Sequence, residues 1–260
     1  MSGFSVKCFG VGDGWPCVDR HHAAFWYRLG NISLLLDCGE PVGDSLASGG
    51  VAPDAIDSVF LSHLHSDHVG GLPMLLQGWW LKRRNKKLTI HMPAEGVRPV
   101  SQMLKASYLF PELFRFRLSF EELRVGRSVD VKGVRVTPYS TSHLDGLKRR
   151  FGGKYRQGFK AYCFLIETGR RRIGHSADLG RPEDLEPLLK QPLDLLVCEL
   201  AHFTPAELFR YLEGRDIRRI VFVHLAARHW KKLGALRLLA VKMLPGIDCR
   251  FASDGQQFSF

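Results

Sequence analysis

His63-Leu64-His65-Ser66-Asp67-His68 places three imidazoles and one carboxylate within six consecutive residues. An apolar, strand-like stretch ending at Ser62 leads into it, and Val69-Gly70-Gly71-Leu72-Pro73 follows, so the cluster sits on a strand-to-helix turn. A polar turn that caps a helix would account for one histidine. It does not account for four ligand-type residues in six positions, a crowding that is costly unless a cation relieves it. Neutral imidazole and carboxylate suit divalent zinc. Alternation along an extended chain predicts His63 and His65 on one side, with the turn aiming Asp67 and His68 at another. Two adjacent metal ions are the expectation.

Outward from this segment, the N-terminal quarter reads mostly as sheet. Apolar β-rich runs recur at Phe4 to Phe9, Ala24 to Leu29, Ile32 to Asp37 and Ser58 to Leu61, each closed by Gly, Asn, Pro or Asp. Helical periodicity follows at about Val69 to Arg83, Ala94 to Ala106, Pro182 to Lys190, Pro205 to Glu213 and Lys231 to Leu244, interleaved with strands at Leu193 to Cys198 and Ile217 to His224. Thr204, Pro205 and Glu207 predict a capping box at one helix start. This order predicts an α/β fold with two sheets covered by helices on their outer faces, a four-layer αββα sandwich with chemistry at the strand ends. No repeat or linker divides the chain, so residues 1–260 read as a single domain. Leu144 to Lys160, rich in Gly, Lys and Arg, reads as a mobile basic loop.

The 260 residues are 45% hydrophobic, enough for a sizeable core. No apolar run approaches the roughly 20 residues that span a bilayer, and the N-terminus lacks the pattern of a secretory signal; a soluble, cytoplasmic protein without membrane contact is expected. The six cysteines (8, 17, 38, 163, 198 and 249) form no C-x-x-C pair, and several lie in apolar strand-like runs where a reduced thiol packs as a small hydrophobe, so neither disulfides nor a structural zinc is expected. The net charge of +11 predicts attraction to polyanions. Three runs contribute to it: Lys82-Arg83-Arg84 with Lys86-Lys87, Lys148-Arg149-Arg150, and Arg170-Arg171-Arg172. Each reads either as solvated surface or as a nucleic-acid contact. Trp79 and Trp80 read as core at helical spacing, with base stacking as the alternative.

The pattern His63-x-His65-x-Asp67-His68 after an apolar strand resembles the signature of the metallo-β-lactamase superfamily. Asp37 in Leu35-Leu36-Asp37-Cys38-Gly39-Glu40 resembles its first motif, a carboxylate that steadies the histidine loop. His143, Asp178 and His224, each following an apolar strand, match the third, fourth and fifth motifs. The resemblance implies that His63, His65 and His143 hold one metal, that Asp67, His68 and His224 hold the other, and that Asp178 bridges them. Two zinc ions are implied, with manganese or iron as alternatives.

Within the superfamily the chain is most similar to ribonuclease Z and its phosphodiesterase relatives, through the glycine-rich opening Gly10-Val11-Gly12-Asp13-Gly14 with Pro16 and Arg20, the aspartate in the fourth motif, and His224 to His229. In that last segment Arg228 is retained, while Leu225, Ala226 and His229 depart from the family pattern. Glu199 to Thr204 resembles the stretch where that family carries a glutamate and a histidine near the scissile phosphate. This makes Glu199 and His202 candidates for catalysis; a structural role for His202 at the helix start stands beside it. The long arm with which ribonuclease Z grips transfer RNA has no counterpart, since only Leu144 to Ala177 separates the third and fourth motifs.

The resemblance implies a dinuclear-metal phosphodiesterase acting on RNA 3′ ends, nucleotides or other phosphodiesters through a metal-bridging hydroxide. In that scheme Asp67 orients or deprotonates the water, and His202, oriented by Glu199, protonates the leaving oxygen. The alternative is a small-molecule hydrolase of thioesters, lactones or cyclic phosphates on the same centre, and a third reading is a non-catalytic binding protein. A homodimer is compatible with each.

Overall fold

Near-continuous apolar segments suit strands buried on both faces, and such segments form the middle of two separate seven-stranded mixed sheets. The computed structural model describes residues 3–260. The chain folds into two units: one runs to Arg124 and takes back Asp254–Phe260, and the other is Val125–Ser253.

The first unit contains β1 (Phe4–Gly10), β2 (Ala24–Leu29), β3 (Ile32–Leu36), α1 (Val42–Ser48), β4 (Ser58–Phe60), α2 (Ser66–Val69), α3 (Leu72–Leu81), β5 (Leu88–Met92), α4 (Ala94–Ala106) and β6 (Leu118–Glu122). The second contains β7 (Val129–Val131), β8 (Val134–Ser140), α5 (Asp145–Phe151), β9 (Tyr162–Thr168), β10 (Arg171–His175), β11 (Leu195–Leu200), α6 (Pro205–Leu212), β12 (Arg219–Leu225), α7 (Ala227–Trp230), α8 (Leu233–Met243) and β13 (Asp248–Phe251). The chain then returns to the first unit as β14 (Gln256–Ser259).

The first sheet has the order β14-β1-β2-β3-β4-β5-β6, antiparallel from β14 to β3 and parallel from β3 to β6. The second has the order β13-β12-β11-β10-β9-β8-β7, parallel from β13 to β10 and antiparallel from β10 to β7. Open sheets gather ligands beyond the carboxyl ends of parallel strands, near the point where the winding changes. In these sheets the change falls at β3 and at β10. Asp37 follows the first directly, and Asp178 comes three residues after the second.

Each sheet has its own core. In the first unit α4 buries Gly96, Val100 and Leu104, a spacing of four that lays one stripe on the sheet. Trp79 is buried in that core, which is the packing role expected for it, and Trp80 packs against it partly buried. In the second unit α6 buries Leu208, Phe209 and Leu212 against β11 and β12. Its start is the expected capping box, with Thr204 Oγ1 accepting from Glu207 N and the Glu207 carboxylate accepting from Thr204 N at 2.7 Å. All six cysteines are free thiols; burial pushes Cys163 up to about 12.

Four expectations need correction. The helix from Val69 to Arg83 is two pieces, α2 and α3, because Gly71 N donates to Cys38 O at 2.8 Å and brings the backbones so close that a Cβ on Gly71 would lie 2.9 Å from Gly39 O. The helix from Pro182 to Lys190 is a single 3₁₀ turn, Pro182–Leu185, whose Asp184 side chain turns back onto Gly180 N and Ser142. Leu144 to Lys160 is not all loop: α5 occupies Asp145–Phe151, with an acid in its first turn and Lys148, Arg149 and Arg150 in its last, as the helix dipole favours. Finally, β4 stops at Phe60, so His63 and His65 do not stand on a strand, and strand alternation is not what orients them.

Candidate metal centre

In the first unit a buried carboxylate organises the histidine segment. Asp37 is fully buried with φ +59°. Its Oδ1 accepts from Ser62 N at 2.7 Å, and its Oδ2 accepts from Ser62 Oγ at 2.9 Å and pairs with His68 Nδ1 at 2.7 Å. Ser62 Oγ in turn lies 3.0 Å from His63 Nδ1. With its proton given to Asp37, the Ser62 hydroxyl accepts from His63 Nδ1–H, and this chain assigns protons to Nδ1 of His63 and His68. The Nε2 lone pairs of both rings then point away from the buried aspartate. His63 Nε2 sits 3.1 Å from His65 Nδ1, and His68 Nε2 sits 3.5 Å from Asp67 Oδ2. The glycine-rich opening packs directly on this cluster: a Cβ on Gly14 would lie 3.3 Å from Asp67 Oδ2.

In the second unit the same kind of group converges on Asp178. Ala177, with φ +46°, turns the chain after β10 and delivers a carboxylate that is only 3% exposed. Asp178 Oδ2 faces His143 Nε2 at 3.6 Å, and Oδ1 faces His224 Nε2, also at 3.6 Å. His224 has φ +49°. Glu199 pairs with Val223 and Leu200 with Leu225, so His224 is the extra residue of a β-bulge, the device by which a strand re-aims one side chain. Left-handed backbone at a non-glycine residue costs of order 1–3 kcal/mol, and such residues collect at functional sites. Asp37, Ala177 and His224 all belong to this class.

His202 follows β11 and is about one-third exposed at its side chain. Its Nδ1 lies 2.8 Å from Glu199 Oε1, and its Nε2 lies 3.8 Å from Asp178 Oδ2. Glu199 is fully buried and also accepts from Leu179 N at 2.7 Å and Ala201 N at 2.8 Å. The rings of His143 and His202 meet edge to face at 4.6 Å. Glu199, His202 and His224 offer donors within 4.8 Å of one another.

Three supporting residues lie outside the set of candidate ligands. Asp184 clamps the segment before His143 by accepting from Ser142 N and Ser142 Oγ, and Thr141 Oγ1 donates to the Asp178 carbonyl at 2.8 Å. Ser62, held by Asp37, is the third. These contacts leave no local signal, because the partners stand 25 to 42 residues apart in the chain.

The donor set fits zinc-like ions. Bonds of about 2.0–2.1 Å in a tetrahedral shell imply ligand-to-ligand distances of about 3.3 Å. The separations of 3.5 Å for Asp67–His68 and 3.6 Å for His143–Asp178 and Asp178–His224 are too long for good hydrogen bonds and close to that edge. Asp178 presents one carboxylate oxygen to His143 and the other to His224.

A family model described as "Beta-lactamase superfamily domain" matches residues 34–237, most of the chain. The protein belongs to the beta-lactamase superfamily. Among curated relatives, the ribonuclease Z of Methanothermobacter thermautotrophicus is 29% identical, the alignment covering 94% of this chain and 93% of that protein. Among solved structures, a metallo-beta-lactamase fold protein of Bacillus subtilis superposes with a TM-score of 0.75 at 18% identity, covering all of both chains. Human tRNase Z, short form, superposes with a TM-score of 0.74 at 19% identity, covering 98% of each. The chain therefore has the metallo-beta-lactamase fold of this superfamily.

Within that fold the three basic runs differ. Arg84 is fully buried and donates to the carbonyls of Pro53, Ile56, Lys86 and Lys87, while Lys86 pairs with Asp57 at 2.9 Å. Arg171 and Arg172 pair with Asp194 and Glu167, at 2.5 and 2.6 Å. Arg228 reaches the carbonyl of Ala201 at 3.4 Å from an exposed position. Among the described residues no helix is long and apolar enough to cross a membrane.

Proposed function

We propose that this protein is a dinuclear-metal phosphodiesterase acting on RNA 3′ ends or other phosphodiesters, and that its chain is a single domain. In this scheme His63, His65 and His143 hold one ion, Asp67, His68 and His224 hold the second, and Asp178 bridges them. Zinc suits the imidazole-rich set, with manganese or iron as substitutes. What carries the proposal is the near-full-length similarity to ribonuclease Z, joined to a donor set whose spacing suits tetrahedral ions.

Ions bound there supply Lewis-acid activation of water and of a phosphoryl oxygen. The protein's own groups do the rest. Asp67 orients the attacking water and takes its proton. The imidazole of His202 protonates the leaving oxygen from Nε2, because Nδ1 is committed to Glu199. Glu199 is a positioning residue held by backbone N–H donors, so the ring cannot swing away.

The substrate side of the proposal is a nucleic acid, drawn by the +11 charge. The site of action is the cytoplasm, and a homodimer is the proposed assembly. A second reading, a small-molecule hydrolase on the same centre, draws on one observation: residues 144–177, between His143 and Asp178, hold a seven-residue helix and two strands, with no room for a long substrate-gripping arm.

Metal content and hydrolysis of bis(p-nitrophenyl) phosphate, measured for the intact protein and for Asp67→Ala and His202→Ala, test this. The expected result is two ions per intact chain and a loss of kcat of about 10²–10⁴ in His202→Ala with metal retained. Fully metallated protein that cleaves thioesters or lactones but no phosphodiester would replace the proposal with the second reading.

A further inference from the structure

The residues after His143 carry a charge that the fold does not neutralise. Residues 145–160 contain six cations, Lys148, Arg149, Arg150, Lys154, Arg156 and Lys160, against the single acid Asp145. From Asp145 to Arg150 every residue is exposed, and α5 buries none of its side chains. Among the described residues no carboxylate pairs with Lys148, Arg149, Arg150, Lys154 or Arg156. In the other two runs Arg84, Lys86, Arg171 and Arg172 are held internally, on carbonyls and on Asp57, Asp194 and Glu167. The helix dipole accounts for only part of the cluster, since its C-terminus carries roughly half a negative charge against three cations in the last turn.

Placement adds a direction. Helix α5 begins two residues after His143, whose ring touches that of His202, and it is about 10 Å long. Beyond it, Lys154 sits over the ring of Tyr155 at 5.4 Å, and that ring is 47% exposed. Cations in a row with an open aromatic face are the elements with which proteins hold single-stranded nucleic acid. An acidic protein segment would use the cations but leave the ring unused.

We propose that α5 and residues 152–156 form a docking surface for the phosphate backbone of a single-stranded RNA segment running from the scissile phosphodiester. This rests on the phosphodiesterase reading and names the substrate surface for it. Lys148, Arg149 and Arg150 contact phosphates, and Tyr155 stacks on a base.

The test uses metal-loaded protein, a fluorescein-labelled single-stranded RNA of about twenty nucleotides, and the variant Lys148→Glu/Arg149→Glu/Arg150→Glu. These side chains are exposed, so metal content and bis(p-nitrophenyl) phosphate turnover should match the parent. RNA affinity should fall at least about tenfold, and the slope of log affinity against log salt should shrink by about 2, near 0.7 for each lost contact. Tyr155→Ala should weaken RNA binding without changing that slope. Unchanged RNA affinity in the triple variant overturns the proposal. So does displacement of RNA by polyglutamate at equal charge concentration, which would mark a surface for acidic protein. Because binding is read directly, failure of the parent protein to cleave any phosphodiester would count against the proposed activity without deciding this one.

Discussion

Asp37 has two carboxylate oxygens and three partners, all of them in or beside the histidine segment. Removing it frees His68 to rotate and leaves Ser62 N without its buried acceptor. Asp37→Ala should therefore lower zinc affinity by about 10–100-fold, the usual effect of losing a partner that orients a metal-binding imidazole. Competition against a chromophoric chelator reads this directly, and an unchanged affinity would show that the turn alone fixes the ring. At this scale much of the site was legible. Four donors crowded into His63 to His68 required no partner to be recognised, and the resemblance to the superfamily's motifs drew attention to Asp37, His143, Asp178 and His224. What stayed hidden was the hydrogen bonding. Asp184 secures Ser142 from 42 residues away and Asp37 secures Ser62 from 25, contacts that leave no mark on any short window of residues.

Strands were legible to within two or three residues wherever apolar runs ended on Gly, Pro, Asn or Asp. Helices were less so, because tertiary contacts intervene: the Gly71 approach splits one predicted helix, and Asp184 shortens another. The charged stretch around Lys148 read as loop because Gly152-Gly153 and the clustered cations masked a helix whose charges agree with its dipole. The bulge at His224 is a backbone event without a residue signature. Strand β5 carries a further testable feature. His91 is 4% exposed, its ring stacks on Phe60 at 4.6 Å, and Glu121 lies 3.7 Å from Nδ1. Burial holds this imidazole below its usual range, and Glu121 opposes the shift only in part. A histidine depressed in the folded state stabilises the fold above its unfolded value, about 6.5, and that contribution is lost as the pH falls through the folded value. Urea midpoints should therefore decline from about pH 8 to about pH 5.5 more steeply for the parent than for His91→Phe. Equal pH dependence in the two would remove His91 from the account.

At the scale of the whole chain, the proposed centre draws its donors from residues that are distant in sequence, from His63 to His224. A ligand bound only by the native state stabilises it by about 2.7 kcal/mol at one hundred times its dissociation constant. Chelation should accordingly lower the unfolding midpoint of the whole protein in one cooperative step, followed by circular dichroism with and without a chelator. Separate transitions for the two units after chelation would instead show that each is stable alone.

Helix α5 has a further consequence. It buries none of its side chains, opens two residues after His143 and closes on two glycines, so the packed cores do not depend on its length. Such a segment is a cassette. It can be lengthened, shortened or exchanged while the strands that carry the donors stay as they are, so one reaction centre can be fitted to new substrates without being rebuilt.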